Sequence, residues 1–286
     1  MLNKKIKTLL ALVIGAAFVL SALLTYDYYQ YNLQREADSV ELGQHAGRKV
    51  AAQLDTLLVG LAADAQSYAQ SLVGVTESEE LLASIRQESE RHALVLGVTV
   101  AFEPGMFEGK SRFSPFYNKH QGKFQFVESA YDYTDASLET AQWYTRVVAS
   151  GKSHWSDPYY ARAADAMVVD YGVPLLNKTG ELIGMVDYTI TLQDFALIVD
   201  ELSVGEAGYG FIFDQSGAIL SHPNPEFLMD NVFRLRDGKD DSILAKLRDQ
   251  SEGVVAYNST YTYKYSWFFF RELKSTGWKS VLVFAE

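Results

Sequence analysis

The chain has 286 residues, 48% of them hydrophobic and 21% charged, so it is long and apolar enough to bury one or two cores of ordinary size. A formal net charge of -11 makes nucleic acid and anionic lipid headgroups poor partners, because a surface of that sign repels phosphate. The absence of cysteine excludes disulfides, thiolate metal sites and cysteine nucleophiles together.

Residues 8–26 (TLLALVIGAAFVLSALLTY) carry no charge, and as a helix they span roughly 28 Å, close to the thickness of a bilayer core. Lys4, Lys5 and Lys7 precede this run and Asp27 follows it. Positive charge collects on the cytoplasmic side of a span, so the N-terminus is expected inside and the remainder outside. A cleaved leader would have an apolar core of only about 7 to 15 residues ending in a pair of small residues. Residues 20–25 (LSALLT) offer no good pair, so we expect a retained anchor over residues 1–27.

Apolar residues then recur at Leu33, Ala37 and Val40, and again at Val50, Leu54, Leu57, Leu61, Ala65, Tyr68 and Leu72. Steps of three and four without proline predict one long helix over 28–76. Its stripe is too long for a small domain to cover, so the membrane-near part is expected to pair with a second copy in a homodimer. A shorter helix is predicted over 77–92.

From Ala93 the period becomes that of strands, at 94–102, 124–131, 167–175 and 182–191. Residues 118–122 and 177–180 are turns, and 138–150 reads as a helix ending at Gly151. After a helix over 192–202 the pattern returns, with strands at 209–214, 218–222, 253–257, 261–265, 266–273 and 278–284 and a helix over 240–250. The fold class is therefore α+β: a transmembrane helix, a long helix outside the membrane, then two tandem modules with antiparallel sheets at 77–203 and 204–286.

Several stretches carry a family likeness: Tyr131-Asp132-Tyr133-Thr134, Trp143-Tyr144, the run from Gly151 to Tyr160, Val169-Asp170-Tyr171-Gly172-Val173-Pro174, the run from Gly180 to Asp187, Gly208-Tyr209-Gly210-Phe211 and Ser221-His222-Pro223. In their order and spacing, residues 28–286 resemble the double Cache domain, the tandem PAS-like periplasmic sensor of bacterial chemoreceptors, sensor histidine kinases and diguanylate cyclases. The resemblance implies a receptor in the bacterial inner membrane that binds a small molecule in its first, membrane-distal module. It also implies a cytoplasmic output module such as a kinase or cyclase. Because residues 281–286 read as a last strand, the chain is expected to be a fragment and itself no enzyme.

The aromatic residues from Tyr131 to Tyr188 are nine, all Tyr or Trp, in a chain with 16 Phe. Tyr and Trp bring a polar tip that suits a partly polar binding site. Tyr131, Tyr133, Trp143, Tyr144, Trp155, Tyr159, Asp170, Tyr171 and Asp187 are the candidate ligand contacts. Asp187 lies in the apolar run 183–190, where a carboxylate is expensive unless it meets a cavity or a donor. The resemblance implies that this aspartate meets a ligand amino group. It also implies an arginine two residues before Trp143-Tyr144 to clamp a ligand carboxylate, and here Ala141 stands there, with Arg146 the nearest substitute. An aromatic cage with an acid and no arginine suits a cation, so an amine-like ligand is expected, with an amino acid or small carboxylate as the alternative.

No cofactor or metal is expected: the five histidines are scattered, and no phosphate loop, dinucleotide fingerprint or nucleophile elbow occurs. A pilin-like structural protein shares the helix-then-sheet plan, but its apolar segment would need a glutamate near its start, and residues 8–26 contain no acid.

Overall fold

The computed structural model describes residues 4–202, 208–234 and 241–285. The expected module boundary between 203 and 204, and Asp240 at the start of an expected helix, lie outside these residues. Residues up to Ala46 form one compact unit and residues from Gly47 onward another.

The first unit consists of the N-terminal part of α1 (Lys4–Ser71), a single helix of 68 residues. Phe18, Val19, Leu23 and Leu24 are exposed on it. This is a helix long and apolar enough to cross a membrane, and apolar side chains this bare are what lipid would cover.

In the second unit α1 buries Val50, Leu54, Leu58, Leu61, Ala65 and Tyr68, and Leu72 is buried in the turn that follows it. The stripe follows the expected one except that Leu58, not Leu57, is the buried member: from Val50 to Leu61 it steps by four, four and three, which also averages close to the 3.6-residue period. The helix also stops at Ser71, short of the expected 76.

The first sheet contains β1 (Gly97–Phe102), β2 (Pro115–Asn118), β3 (Lys123–Phe126), β4 (His154–Trp155), β5 (Tyr159–Ala161), β6 (Ala166–Leu176) and β7 (Leu182–Thr191), in the order β3-β2-β1-β7-β6-β4 with β5 also on β6. All neighbours are antiparallel. One face packs on α1 and α2 (Ser78–Arg91): Tyr188 of β7 donates to Glu88, and Ser89 accepts from the Val98 amide at 3.0 Å. The other face packs on α3 (Gln142–Ser150), whose Trp143, Tyr144 and Val147 share a core with Phe116, Val168 and Met185. Gly172 makes the α3 contact possible, since a Cβ there would stand 2.6 Å from Val147 Cγ2 and 2.8 Å from Met185 Cε. Gly151 ends α3 in the left-handed conformation, φ 62°, with its N–H on the Val147 carbonyl at 2.8 Å.

After α4 (Leu192–Leu202), the second sheet contains β8 (Gly208–Phe213), β9 (Ile219–Ser221), β10 (Glu252–Asn258), β11 (Tyr265–Glu272) and β12 (Lys279–Ala285), in the order β10-β11-β12-β8-β9. Across it lies α5 (Asp241–Asp249). Lys279 reaches from β12 to the last-turn carbonyls of α5, at 2.6 Å to Leu247 and 2.8 Å to Arg248, satisfying acceptors that a helix end leaves open. The two modules meet where Trp278 packs edge-on against Trp155 and Phe195, with ring centroids 5.5 and 5.9 Å apart. Asp55 of α1 secures the same corner by accepting from the backbone amides of Lys274 and Ser275 at 3.0 and 2.9 Å.

Two expectations are corrected, and strands appear where none was expected. Residues 115–118 form a strand, concealed by the proline that opens it, a position where a missing N–H is harmless. The expected strand 124–131 stops at Phe126 and turns into a short 3-10 helix, Val127–Ser129, held by Ser114 and Glu128. Residues 261–265 are mostly a turn, in which the Ser259 hydroxyl accepts from the Tyr261 and Thr262 amides and Tyr263 takes φ 57°.

The shifted stripe is testable. Leu58→Ala should lower the stability of the chain in mild detergent by about 2–5 kcal/mol, the usual result of emptying a fully buried leucine site, and the half-buried Leu57 clearly less when replaced by alanine. Unfolding followed by near-UV circular dichroism measures both.

Candidate ligand-binding site

On the α3 side of the first sheet, a small cavity of about 20 Å³ opens between the strands and the segment from Tyr159 to Ala164. Its floor is set by register. Thr99 of β1 lies opposite Asp187 of β7, and Phe116 of β2 lies opposite Thr99, so Phe116, Thr99 and Asp187 share one face. Asp170 of β6 pairs with Thr189, two residues from Asp187 and thus on that same face. The rim is aromatic: Trp143 from α3 donates its indole N–H to the Tyr131 hydroxyl at 2.8 Å, and Tyr159 from β5 donates its hydroxyl to Asp170 Oδ2.

The two carboxylates are the unusual feature. Asp170 is 1% exposed and Asp187 2%, yet Oδ1 of each has no hydrogen-bond partner. Asp170 Oδ2 has Tyr159, whereas Asp187 Oδ2 has only a long contact of 3.4 Å from the Thr189 hydroxyl. Burial raises both carboxyls above the ordinary aspartate value, and for Asp187 the neighbouring Asp170 charge adds to it. The same burial pushes Tyr131 up to about 12 and Tyr159 well above its usual value, so both hydroxyls stay protonated. Arg162 lines the cavity as a cation and opposes the rise at Tyr131. A buried carboxylate oxygen without a donor is costly in a closed protein. A cavity that can admit a donor removes that cost.

Of the nine candidates, Tyr131, Trp143, Tyr159 and Asp187 line this cavity, and Asp170 stands behind Tyr159. Tyr133 and Tyr144 lie in the core beneath it. The Tyr133 hydroxyl donates to the Phe102 carbonyl at 2.7 Å, and Tyr144 donates to Glu103 at 2.6 Å. Trp155 and Tyr171 do not reach it. They pair across β4 and β6 with rings 5.0 Å apart on the opposite face, where Gln66 of α1 donates to the Tyr171 hydroxyl at 3.1 Å. The strand period of two explains this, because Tyr171 follows Asp170 directly and must point the other way. Arg146, the expected substitute for an arginine at Ala141, is on the surface in an ion pair with Asp157 at 2.6 Å.

Sequence reasoning missed Thr99, Phe116, Thr189 and Arg162. Thr189 had a signal, since it stands two residues from Asp187 on one strand. Arg162 had none, because its place in the rim depends on how the segment after β5 turns back over the sheet. Among the described residues no three His, Asp or Glu side chains come together in a group able to hold a metal ion.

Comparison with known proteins agrees with this architecture. Residues 81–196 match the family described as methyl-accepting chemotaxis protein-like, first PDC sensor domain, and residues 160–284 match the Cache 3/Cache 2 fusion domain. The methyl-accepting chemotaxis protein McpA of Pseudomonas putida is 28% identical over 108 residues, which is 37% of this chain and 17% of McpA. PctB of Pseudomonas aeruginosa is 28% identical over 90 residues, 32% of this chain and 14% of PctB. The matches therefore span less than a fifth of these relatives. Among solved structures, the ligand-binding domain of the Pseudomonas aeruginosa amino acid chemoreceptor PctB in complex with L-Arg superposes with a TM-score of 0.61 at 17% identity, covering 87% of this chain and 96% of that one. The periplasmic sensory domain of the Campylobacter jejuni chemoreceptor Tlp1 gives 0.64 at 15% identity, covering 86% and 94%.

The raised carboxyls set a pH dependence. A carboxyl whose folded pKa lies above its unfolded value binds more protons in the folded state, so stability falls as pH rises from about 4, the unfolded value, through the raised folded values. The melting temperature of the ligand-free chain should decline over that window. Asp187→Asn should melt higher than wild type at pH 8, with the gap closing toward pH 4. A differential scanning fluorimetry series in pH checks both.

Proposed function

We propose that this chain, whose residues 81–196 match a first PDC sensor domain and 160–284 a Cache 3/Cache 2 fusion domain, is the extracytoplasmic sensing region of a membrane-spanning signal-transduction receptor. Its first module receives an amine-bearing small molecule. The observation that carries this is the buried, donor-free Oδ1 of Asp187 at the floor of an aromatic cavity. An ammonium group would supply the missing donor and the countercharge, while the faces of Trp143, Tyr131 and Tyr159 attract the same cation. The receptor is anchored in the inner membrane by the apolar part of α1, with the two sheets in the periplasm, and any enzymatic output is borne elsewhere than in the sensing modules.

Arg162 favours a second reading. A guanidinium on the rim and a carboxylate on the floor are the two ends that an α-amino acid needs, and it would take over the role that Ala141 leaves open. The two readings part on one residue. Asp187→Asn removes a charge-assisted hydrogen bond, typically worth about 1.5–3 kcal/mol, so affinity for either class should fall roughly ten- to a hundredfold. Arg162→Ala should weaken binding only of ligands that carry a carboxylate. Isothermal calorimetry with amines and with amino acids separates the outcomes. If Asp187→Asn binds as tightly as wild type, the cavity does not recognise an amino group.

The long helix is proposed to carry the signal as one of a parallel pair. Cysteines introduced at Leu33 or Val40 of the membrane-embedded chain should form disulfide-linked dimers under mild oxidation, and absence of cross-linking at both positions excludes the pair.

A further inference from the structure

A second cavity, of about 80 Å³, lies in the second module between α5 and the sheet, and the function proposed above leaves it without a role. Its wall includes Tyr209, Phe211, Leu247, Val255 and Phe268, and no charged residue lines it. Packed cores leave few voids larger than a water molecule, and this one has room for several.

One polar group inside it is fixed in orientation. The ring of His222 stands among Phe227, Tyr209 and Tyr261, at centroid distances of 4.7, 5.4 and 5.1 Å. The Asn224 amide donates to His222 Nδ1 at 3.0 Å, and the Asn224 carbonyl lies 3.2 Å from the same nitrogen. A backbone N–H can only donate, so Nδ1 is an acceptor and the ring proton sits on Nε2. Burial lowers the His222 pKa to about 4, which keeps the ring neutral at physiological pH. Nε2 has no hydrogen-bond partner among the described residues, whereas the Tyr209 hydroxyl is already paired with Ser259 at 2.9 Å.

We propose that this cavity is a second ligand site, for an uncharged and mainly apolar molecule with one hydrogen-bond acceptor that His222 Nε2–H receives. An ion is excluded, because the wall would strip its hydration and offer no countercharge. An apolar body with one acceptor matches the mostly apolar lining and the open Nε2–H of His222. The first-module carboxylates play no part in it.

The test uses the full chain in nanodiscs with 13C-labelled Ile, Leu and Val methyl groups, and acetophenone as the probe. Saturable shifts are expected at Ile219, Leu247 and Val255. His222→Phe keeps the ring and removes the donor, so binding should weaken by roughly two- to tenfold. Val255→Phe fills the space and should abolish the shifts, with the Val281 methyls reporting that the sheet is intact. Should that variant unfold, His222→Phe alone decides. Asp187→Asn should leave the titration unchanged, so a failure of the amine reading cannot be mistaken for a failure of this one. Shifts that rise linearly without saturating, a saturable site at other methyls, or equal affinity in His222→Phe each overturn the proposal.

Discussion

The organisation of the first module rests on one strand that is buried on both faces. β7 lies between β1 and β6, with helices against either side of the sheet, so the two-residue alternation of an extended chain assigns each of its side chains to one of two interiors. Met185, Asp187 and Thr189 face α3 and the cavity, while Val186, Tyr188 and Ile190 face α1 and α2. A one-residue slip would exchange these sets and place a carboxylate against the helices, so the register is held by burial as much as by hydrogen bonds.

That alternation couples the cavity to the helices in the shortest possible way. Asp187 and Tyr188 are consecutive, and the Tyr188 hydroxyl donates to Glu88 of α2, which also meets His92 at 3.0 Å. Tyr188 lies against Tyr68 of α1, with ring centroids 6.5 Å apart, and Arg91 bridges Glu88 to Asp64 of α1. Any movement of β7 at the floor of the cavity is therefore also a movement of an aromatic ring against the long helix. The helix is in turn tied to the second module through Asp55 and the turn before Trp278.

The pair of buried carboxylates sets this cavity apart from the rest of the core. Among the other buried polar groups, Ser89, Tyr133 and Lys279 each have named partners, and Ser221 Oγ has none. At Asp170 and Asp187 one oxygen each is left open, and burial raises both carboxyls above the ordinary aspartate value. Polar groups placed this way favour a ligand over solvent, because the donor a ligand brings is matched to a cost already present in the folded chain.

The apolar span, the long helix, the two α+β modules, and strands such as 182–191 were legible in the sequence because they depend on local period and composition, which neighbouring residues carry by themselves. Asp187 was legible too, as an acid in an apolar run. What only tertiary structure decided was direction and closure. Tyr171 and Trp155 have the same composition as the true rim residues, but strand alternation turns them toward α1 and the second module. Leu58 replaces Leu57 because the exact phase of a helix against its partner is a property of the packed pair. The strand 115–118 exists because β1 offers it an edge, against the local signal of its proline. Arg162 enters the cavity rim only because the segment after β5 folds back over the sheet, a long-range arrangement that no spacing along the chain encodes.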